Sequence, residues 1–315
     1  MIGYTADRRI RKLRAKKPVV DPWRAHGSLI EEERRPGNRI ERALTVFLAG
    51  AECPYTCSFC DLWRWTIDGA TPPGALVAQV KDVLAAGSEP VPDRLKLYNA
   101  SNFFDVRAVP PEDLPAIAAL AAPFGGVTVE SHARTVGPKT LEFARMLTGR
   151  LEVAIGLETI QPTAMEHLNK RLSLTRFVSA AGFLTDNGIA LRVFVLLNAP
   201  YTPDAESVEW TVRTVEYAAR VGASLVSIIP VRGGNGEMER LQSLGHFTPP
   251  TLGGLESALD QSLGFAPMVV TADLWDAEKL VTCTECGPAR IERLGRINRT
   301  GCAEPRVSCA ACDGV

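Results

Sequence analysis

The chain has 315 residues, 46% of them hydrophobic and 23% charged, with a formal net charge of −1. That length holds one large domain with appendages, or two domains, and it can bury a sizeable core. Near-neutrality excludes a nucleic-acid or membrane affinity driven by bulk charge; no apolar run approaches the ~20 residues that span a bilayer, and the start, Met1-Ile-Gly-Tyr-Thr-Ala-Asp-Arg-Arg, lacks the apolar core of a secretory signal, so a cytoplasmic protein is expected.

In chain order, residues 1–18 carry Arg8, Arg9, Arg11, Lys12, Arg14, Lys16 and Lys17 against the single acid Asp7. Residues 1–41 therefore read as a basic N-terminal extension, either a solvated arm or a tail that contacts anions or RNA. From Arg42 the pattern becomes regular. Apolar, β-branched-rich runs at Leu44–Leu48, Leu95–Tyr98, Val127–Val129, Leu151–Leu157, Ala190–Leu197 and Leu225–Ile229 read as strands. Helix-period stretches accompany them at Ala75–Ala86, Glu112–Ala121, Lys139–Leu147, Arg176–Asn187 and Ala205–Val221. Alternating strand and helix predict an α/β fold with a parallel sheet and right-handed crossovers. Six strands suit a partial (β/α)6 TIM-like barrel over residues 42–235, with a doubly wound open sheet as the alternative; 236–315 is a C-terminal extension.

In such folds ligands sit at the carboxyl ends of the strands. The residues there are Cys53, Cys57 and Cys60 after the first strand, then Asn99, Ser101 and Asn102, then Glu130, Ser131 and His132, then Glu158 and Thr159, Asn198, and Arg232. Helix capping accounts for the Ser and Asn residues; it does not account for three cysteines and two glutamates. The eight cysteines fall in two groups, with none between Cys60 and Cys283, and clustering at short gaps reads as metal binding rather than disulfides. The first group lies in Ala51-Glu-Cys-Pro-Tyr-Thr-Cys-Ser-Phe-Cys-Asp-Leu-Trp. Gaps of three and two residues let one loop wrap three thiolates around a corner of a cubane, and because a [4Fe–4S] cluster normally takes four, one iron is left open for a ligand.

This pattern, with Phe59 before the last cysteine and its place after the first strand, resembles the signature of the radical S-adenosylmethionine (SAM) superfamily, and the resemblance extends over residues 40–235. It implies a barrel of the radical SAM type and a [4Fe–4S] cluster on Cys53, Cys57 and Cys60. The open iron would chelate SAM, and reduction of the cluster by a flavodoxin- or ferredoxin-like electron donor would release methionine and a 5′-deoxyadenosyl radical. Asn99, Ala100 and Ser101 match by position the loop that binds the methionyl amine, although no Gly-Gly-Glu stands there. The resemblance further implies Glu130 and Arg192 as ribose and carboxylate partners and Phe59 as a cover for the adenine; Glu158, which ends an apolar run where an unpaired carboxylate would be costly, and His132 at the same mouth are the catalytic candidates. Within the superfamily, Leu151-Glu-Val-Ala-Ile-Gly-Leu-Glu-Thr preceded by Val129-Glu-Ser-His resembles the Elp3-like branch, and within that the archaeosine-biosynthesis radical SAM group (RaSEA), with His132 where the motif commonly has Arg. Those relatives cleave a C–N bond on a modified guanine of tRNA, which implies tRNA as a partner. Alternatives are radical chemistry on a small molecule or protein, sulfur insertion included, or a non-catalytic iron–sulfur or zinc protein that binds RNA.

The tail contains Cys283-Thr-Glu-Cys286, Cys302 and Cys309-Ala-Ala-Cys312. Two C-x2-C knuckles are a strong metal signal. Zinc would take Cys283, Cys286, Cys309 and Cys312 and leave Cys302 spare; an auxiliary [4Fe–4S] cluster would draw four ligands from all five. Arg290, Arg293, Arg296 and Arg299 recur every third residue between the knuckles, a spacing that suits either a solvated face or a grip on phosphates.

Overall fold

A computed structural model describes residues 2–87 and 89–313. Eight strands form one sheet in the order of the chain. β1 (Gly27–Arg35) and β2 (Arg39–Phe47) make an antiparallel hairpin. β3 (Arg94–Tyr98), β4 (Gly126–Glu130), β5 (Arg150–Glu158), β6 (Ala190–Leu197), β7 (Leu225–Pro230) and β8 (Val269–Ala272) then follow in parallel. The six expected strands are β2 to β7, so the expected α/β barrel is present with one more strand at each edge.

The helices are α1 (Ile2–Leu13), α2 (Ala75–Ala85), α3 (Leu114–Leu120), α4 (Pro138–Met146), α5 (Pro162–His167), α6 (Leu174–Asp186), α7 (Ser207–Arg220), α8 (Glu237–Ser243), α9 (Leu252–Ser262), α10 (Gly287–Thr300) and α11 (Ala310–Asp313). Ser173 and Thr251 start α6 and α9 by accepting from the Arg176 and Gly254 amides. No helix among the described residues is long and apolar enough to cross a membrane.

Strand alternation sorts the side chains by face. Leu95, Leu97, Val127, Val129, Val153, Ile155, Leu191, Val193 and Val195 join one core with Leu76, Ile117, Phe143, Phe177, Leu184 and Val215 of the surrounding helices. Full burial of each such side chain is worth about 1.5–3 kcal/mol. The alternate residues face the barrel interior and are polar in its lower half. There Glu152 accepts from Arg35 Nη2 (2.5 Å), Arg192 Nε (3.0 Å) and Thr128 Oγ1 (2.9 Å). Glu33 accepts from both terminal nitrogens of Arg192 (2.7 and 2.5 Å) and from Lys96 (3.3 Å). β1 supplies Glu33 and Arg35 to this floor, which explains why its sequence, Gly-Ser-Leu-Ile-Glu-Glu-Glu-Arg-Arg, carries no apolar strand signal.

Among the described residues the outer edges of β1 and β8 do not pair, and α10 covers the seam between them. Asn298 of α10 both donates to the carbonyl of Ala272 and accepts from its amide, at 2.8 Å each, and so satisfies an open edge. Arg34 of β1 donates to the carbonyls of Val270 and Asn298, both at 3.3 Å. Gly301 ends α10 at φ +69°, and a Cβ there would meet the Arg34 guanidinium at 2.4 Å. Both ends of the chain thus take part in the barrel wall, and the segment read as a basic arm contributes a docked helix, α1, as well as β1.

Candidate functional site

β2 to β8 run the same way, so their carboxyl ends ring one mouth. The cysteine loop leaves β2 there and is pinned from several sides. Ser58 N–H donates to the Leu168 carbonyl (2.9 Å), Asn169 Nδ2 to that of Thr56 (2.9 Å), and Asn235 Nδ2 to that of Ser58 (2.8 Å). Asn102, beyond β3, donates from Nδ2 to the Cys53 sulfur at 3.4 Å. Burial raises the thiol pKa of all three cysteines, that of Cys57 to about 12, although the Lys170 ammonium pulls Cys57 and Cys53 down. Thiolates at this depth need a cation to hold them, which a bound metal would supply. The three sulfurs are not gathered within 4.8 Å of one another, unlike those of the C-terminal group.

Across the mouth, the ends of β3 and β4 carry polar atoms without partners. Asn99 is fully buried, and neither its Oδ1 nor its Nδ2 has a hydrogen-bond partner; Ser101 Oγ is likewise orphaned. Each such atom costs about 1–3 kcal/mol unless something binds it. Between them Ala100 sits at φ +52°. The carboxyl of Glu130 makes no hydrogen bond within the described residues, and burial drives its pKa up to about 8 despite Lys96 and Lys170. The expected SAM-binding positions therefore present an unsatisfied amide, hydroxyl and carboxyl beside the cysteine loop, which fits a ligand bearing amine, carboxylate and hydroxyl groups.

Glu158 lies at the end of β5 and takes a 2.6 Å salt bridge from Lys170. Its φ is +70°, and the register shifts between Gly156 and Glu158. A Cβ on Gly156 would lie 2.0 Å from the Glu158 carboxylate and 2.7 Å from Lys170 Nζ, so the pair requires glycine there. Non-glycine residues with positive φ recur around the mouth: Ala100, Glu158 and Asn198 at strand ends, and Asn169 and Arg171 on either side of Lys170. Strain of this kind concentrates where backbone must present groups to a ligand.

Three expectations are corrected. Arg192 does not reach the mouth; it is buried in the floor on Glu33 and Glu152 and is unavailable to a SAM carboxylate. Phe59, partly buried, packs against Leu196, Val231, Met238 and Phe247. His132 Nδ1 accepts from the Arg134 amide (3.1 Å), which places the proton on Nε2, where it is donated to the Lys170 carbonyl (3.1 Å). Burial and Lys170 hold the His132 pKa down to about 3. With no free nitrogen, and with its ring stacked on Tyr55 at 4.2 Å, His132 braces the cysteine loop instead of moving protons.

The third correction concerns Cys302. The sulfurs of Cys283, Cys286, Cys309 and Cys312 all lie within 4.8 Å of one another, with Cys283–Cys309 at 3.9 Å and Cys286–Cys312 at 3.8 Å. Cys302 stands outside the group because the 14-residue α10 separates it from Cys286, about 21 Å of helix at 1.5 Å per residue. The arginines of α10 do not form a free phosphate grip: Arg290 binds Glu256 (2.6 Å), Arg293 binds Asp260 (2.8 Å) and Arg296 binds Glu304 (2.9 Å). Arg232 is likewise held by Asp273 (2.7 Å).

Two contributors carried no local signal. Lys170 and Asp7 reach the site only because the fold brings the 169–171 segment and α1 against the cysteine loop.

No family model matches the chain. It is 23% identical over 237 residues to archaeosine synthase subunit beta of Methanosarcina acetivorans, covering 72% of this chain and 68% of that one. Among solved structures, the archaeal Elp3 of Methanocaldococcus infernus superposes with a TM-score of 0.51 at 13% identity, over 70% of this chain and 57% of that one. Methylornithine synthase superposes at 0.52 and 16% identity, over 71% and 63%. A radical SAM methyltransferase from Sphaerobacter thermophilus does so at 0.52 and 16%, over 74% and 68%. The chain thus spans less than two thirds of the first two structures.

Proposed function

We propose, from a barrel that has the fold of the radical SAM enzymes, that this chain is a radical SAM enzyme whose substrate is a modified nucleoside of tRNA. The observation that carries the reading is the juxtaposition of Cys53, Cys57 and Cys60 with the unpartnered atoms of Asn99 and Ser101 and the unpaired carboxyl of Glu130. A [4Fe–4S] cluster with one open iron supplies one-electron reduction of SAM, breaking its C–S bond to give methionine and a 5′-deoxyadenosyl radical. The protein's part is to bind, orient and exclude water. Asn99 and Ser101 offer donors and acceptors to the amino-acid end of SAM. Glu130, protonated at neutral pH, can donate to a hydroxyl or accept from a cationic substrate group. The Glu158–Lys170 pair keeps a cation beside the cysteine loop.

The tRNA substrate and C–N bond cleavage rest on the likeness to archaeosine synthase subunit beta, and the electron would come from a flavodoxin- or ferredoxin-like donor. The C-terminal cysteines take one zinc ion. Four sulfurs 2.3 Å from one ion sit about 3.8 Å apart along a tetrahedron's edge, and two of the pairs, at 3.8 and 3.9 Å, match it. A cubane spreads its thiolates over separate irons and needs a wider set.

After anaerobic reconstitution with iron and sulfide, the chain should convert SAM and dithionite to 5′-deoxyadenosine. Replacing Cys53, Cys57 and Cys60 together by Ala should reduce the product to background and lower bound iron by about four atoms, one cubane. Retained 5′-deoxyadenosine formation in the triple variant would refute the central reading. Nucleoside analysis of RNA that copurifies with the chain tests the substrate.

A further inference from the structure

Residues 1–18 read as either a solvated arm or an anion-contacting tail, yet their one acid, Asp7, is fully engaged within the fold. Asp7 Oδ1 accepts from the Thr56 hydroxyl (2.5 Å) and from Asn169 Nδ2 (2.8 Å), and its Oδ2 accepts from Arg171. Thr56 precedes Cys57, and Asn169 also donates to the Thr56 carbonyl and hydroxyl (2.9 and 2.8 Å). Asn169 and Arg171, both at positive φ, flank Lys170, whose ammonium holds Glu158 and whose carbonyl receives His132. Arg9 binds Glu237 of α8, while Arg14 and Lys17 grip the same loop: Arg14 binds Glu52 next to Cys53 and lies over the Trp63 ring at 4.8 Å, and Lys17 binds Glu52 and Asp68.

We infer that Asp7 is a positioning residue for the cysteine loop: through Thr56 and the 169–171 segment it fixes the backbone on which Cys57 is carried, making α1 a working part of the metal site. The physical reason is that a loop of three ligands has few hydrogen bonds of its own. Cys60 N–H to the Cys57 carbonyl at 3.2 Å is the backbone bond within it. Its geometry must therefore be imposed from outside, and an ionised carboxylate accepting three donors is a strong external anchor. The cations that α1 does not use inward, Arg8, Arg11 and Lys12, are exposed.

The inference takes from the radical SAM reading only the identity of the group on the cysteines. The test compares full-length wild type with Asp7→Ala, Asp7→Asn and, as a control on the exposed face, Arg8→Ala. In the metal-free chain, amides 53–60 of Asp7→Ala should exchange hydrogen about tenfold faster, the effect of one lost charge-assisted hydrogen bond, while β5 and α7 keep wild-type protection. In the reconstituted chain, Asp7→Ala should shift the cluster's midpoint potential and electron paramagnetic resonance line shape and bleach about tenfold faster in air. Asp7→Asn, which still accepts from Thr56, should fall between, and Arg8→Ala should match wild type. Wild-type exchange over 53–60 in Asp7→Ala overturns the inference. If Asp7→Ala does not fold, Thr56→Val removes the same bond and is read in its place. A wild-type chain that holds no iron would defeat the radical SAM reading, while the exchange result would still decide the role of Asp7.

Discussion

Glu130 is a carboxyl in surroundings that oppose its charge. Burial lifts its pKa to about 8, against an ordinary carboxyl value, and Lys96 and Lys170 only partly offset the cost. The sign of the consequence follows from proton uptake: between about 4.5 and 8 the folded state holds a proton that the unfolded state has released. Stability should therefore decline as pH rises through that window and level off above it. Glu130→Gln, which keeps the shape and removes the titration, should flatten the decline; urea midpoints of the metal-free chain at pH 5, 6.5 and 8 measure it. A wild-type profile without the decline would show that a nearby cation already pairs with Glu130. At this scale the sequence was legible where chemistry was unusual and illegible where it was relational. Three cysteines in a short loop and a glutamate ending an apolar run stand out by type. That Arg192 belongs to the floor rather than the mouth depends on Glu33 and Glu152 lying beside it, and nothing local to β6 announces the partner contributed by β1.

The elements divide in the same way. β3 to β7 have one apolar face and were readable from it. β1 was not, because its inward side chains are Glu33 and Arg35, although Pro36-Gly37-Asn38 between Arg35 and Arg39 is a turn signal. β8 escaped notice because it has only four residues. α10 is the element that ties the tail to the barrel. Its N-terminal end carries Cys286, its buried face docks on α9 through Arg290 and Arg293, and its far end closes the seam through Asn298. A metal at the four cysteines would then cross-link residues 283–286 to 309–312 across the length of α10. Purified chain should contain about one zinc ion besides the iron. Cys309→Ser should lose that zinc and free the tail to protease, whereas Cys302→Ser should leave zinc and protease resistance unchanged. Iron rather than zinc lost on Cys309→Ser would point to an auxiliary cluster.

For the molecule as a whole, the barrel has two halves with different duties. The mouth keeps strained backbone and unsatisfied polar groups, each unfavourable to folding by a few kcal/mol, so the floor must supply cohesion. It does so with a buried ionic lattice in which Glu152 holds Arg35 and Arg192, and Glu33 holds Arg192, Arg35 and Lys96. Burial alone would raise the Glu152 pKa, but Arg192 and Arg35 pull it down to about 2. A carboxylate held that low stabilises the fold above its ordinary pKa, and the contribution is lost as pH falls from about 4.5 toward 2. Glu152→Gln leaves the Arg35 and Arg192 guanidiniums to share Glu33, with an amide in place of their second carboxylate. The expected cost is about 3–5 kcal/mol, as for breaking other buried pairs. Glu209→Gln, which breaks an exposed pair with Arg213 on α7, should cost about 0.5 kcal/mol or less. The two variants, followed by urea unfolding at pH 7, separate lattice from surface. Repeating the comparison at pH 3 should narrow the gap between wild type and Glu152→Gln, because the unfolded chain then takes up a proton on Glu152 that the folded protein still excludes, and that uptake favours unfolding of the wild type. A gap as wide at pH 3 as at pH 7 would mean that Glu152 acts by shape rather than charge, and cohesion would have to be sought instead in the apolar shell between sheet and helices.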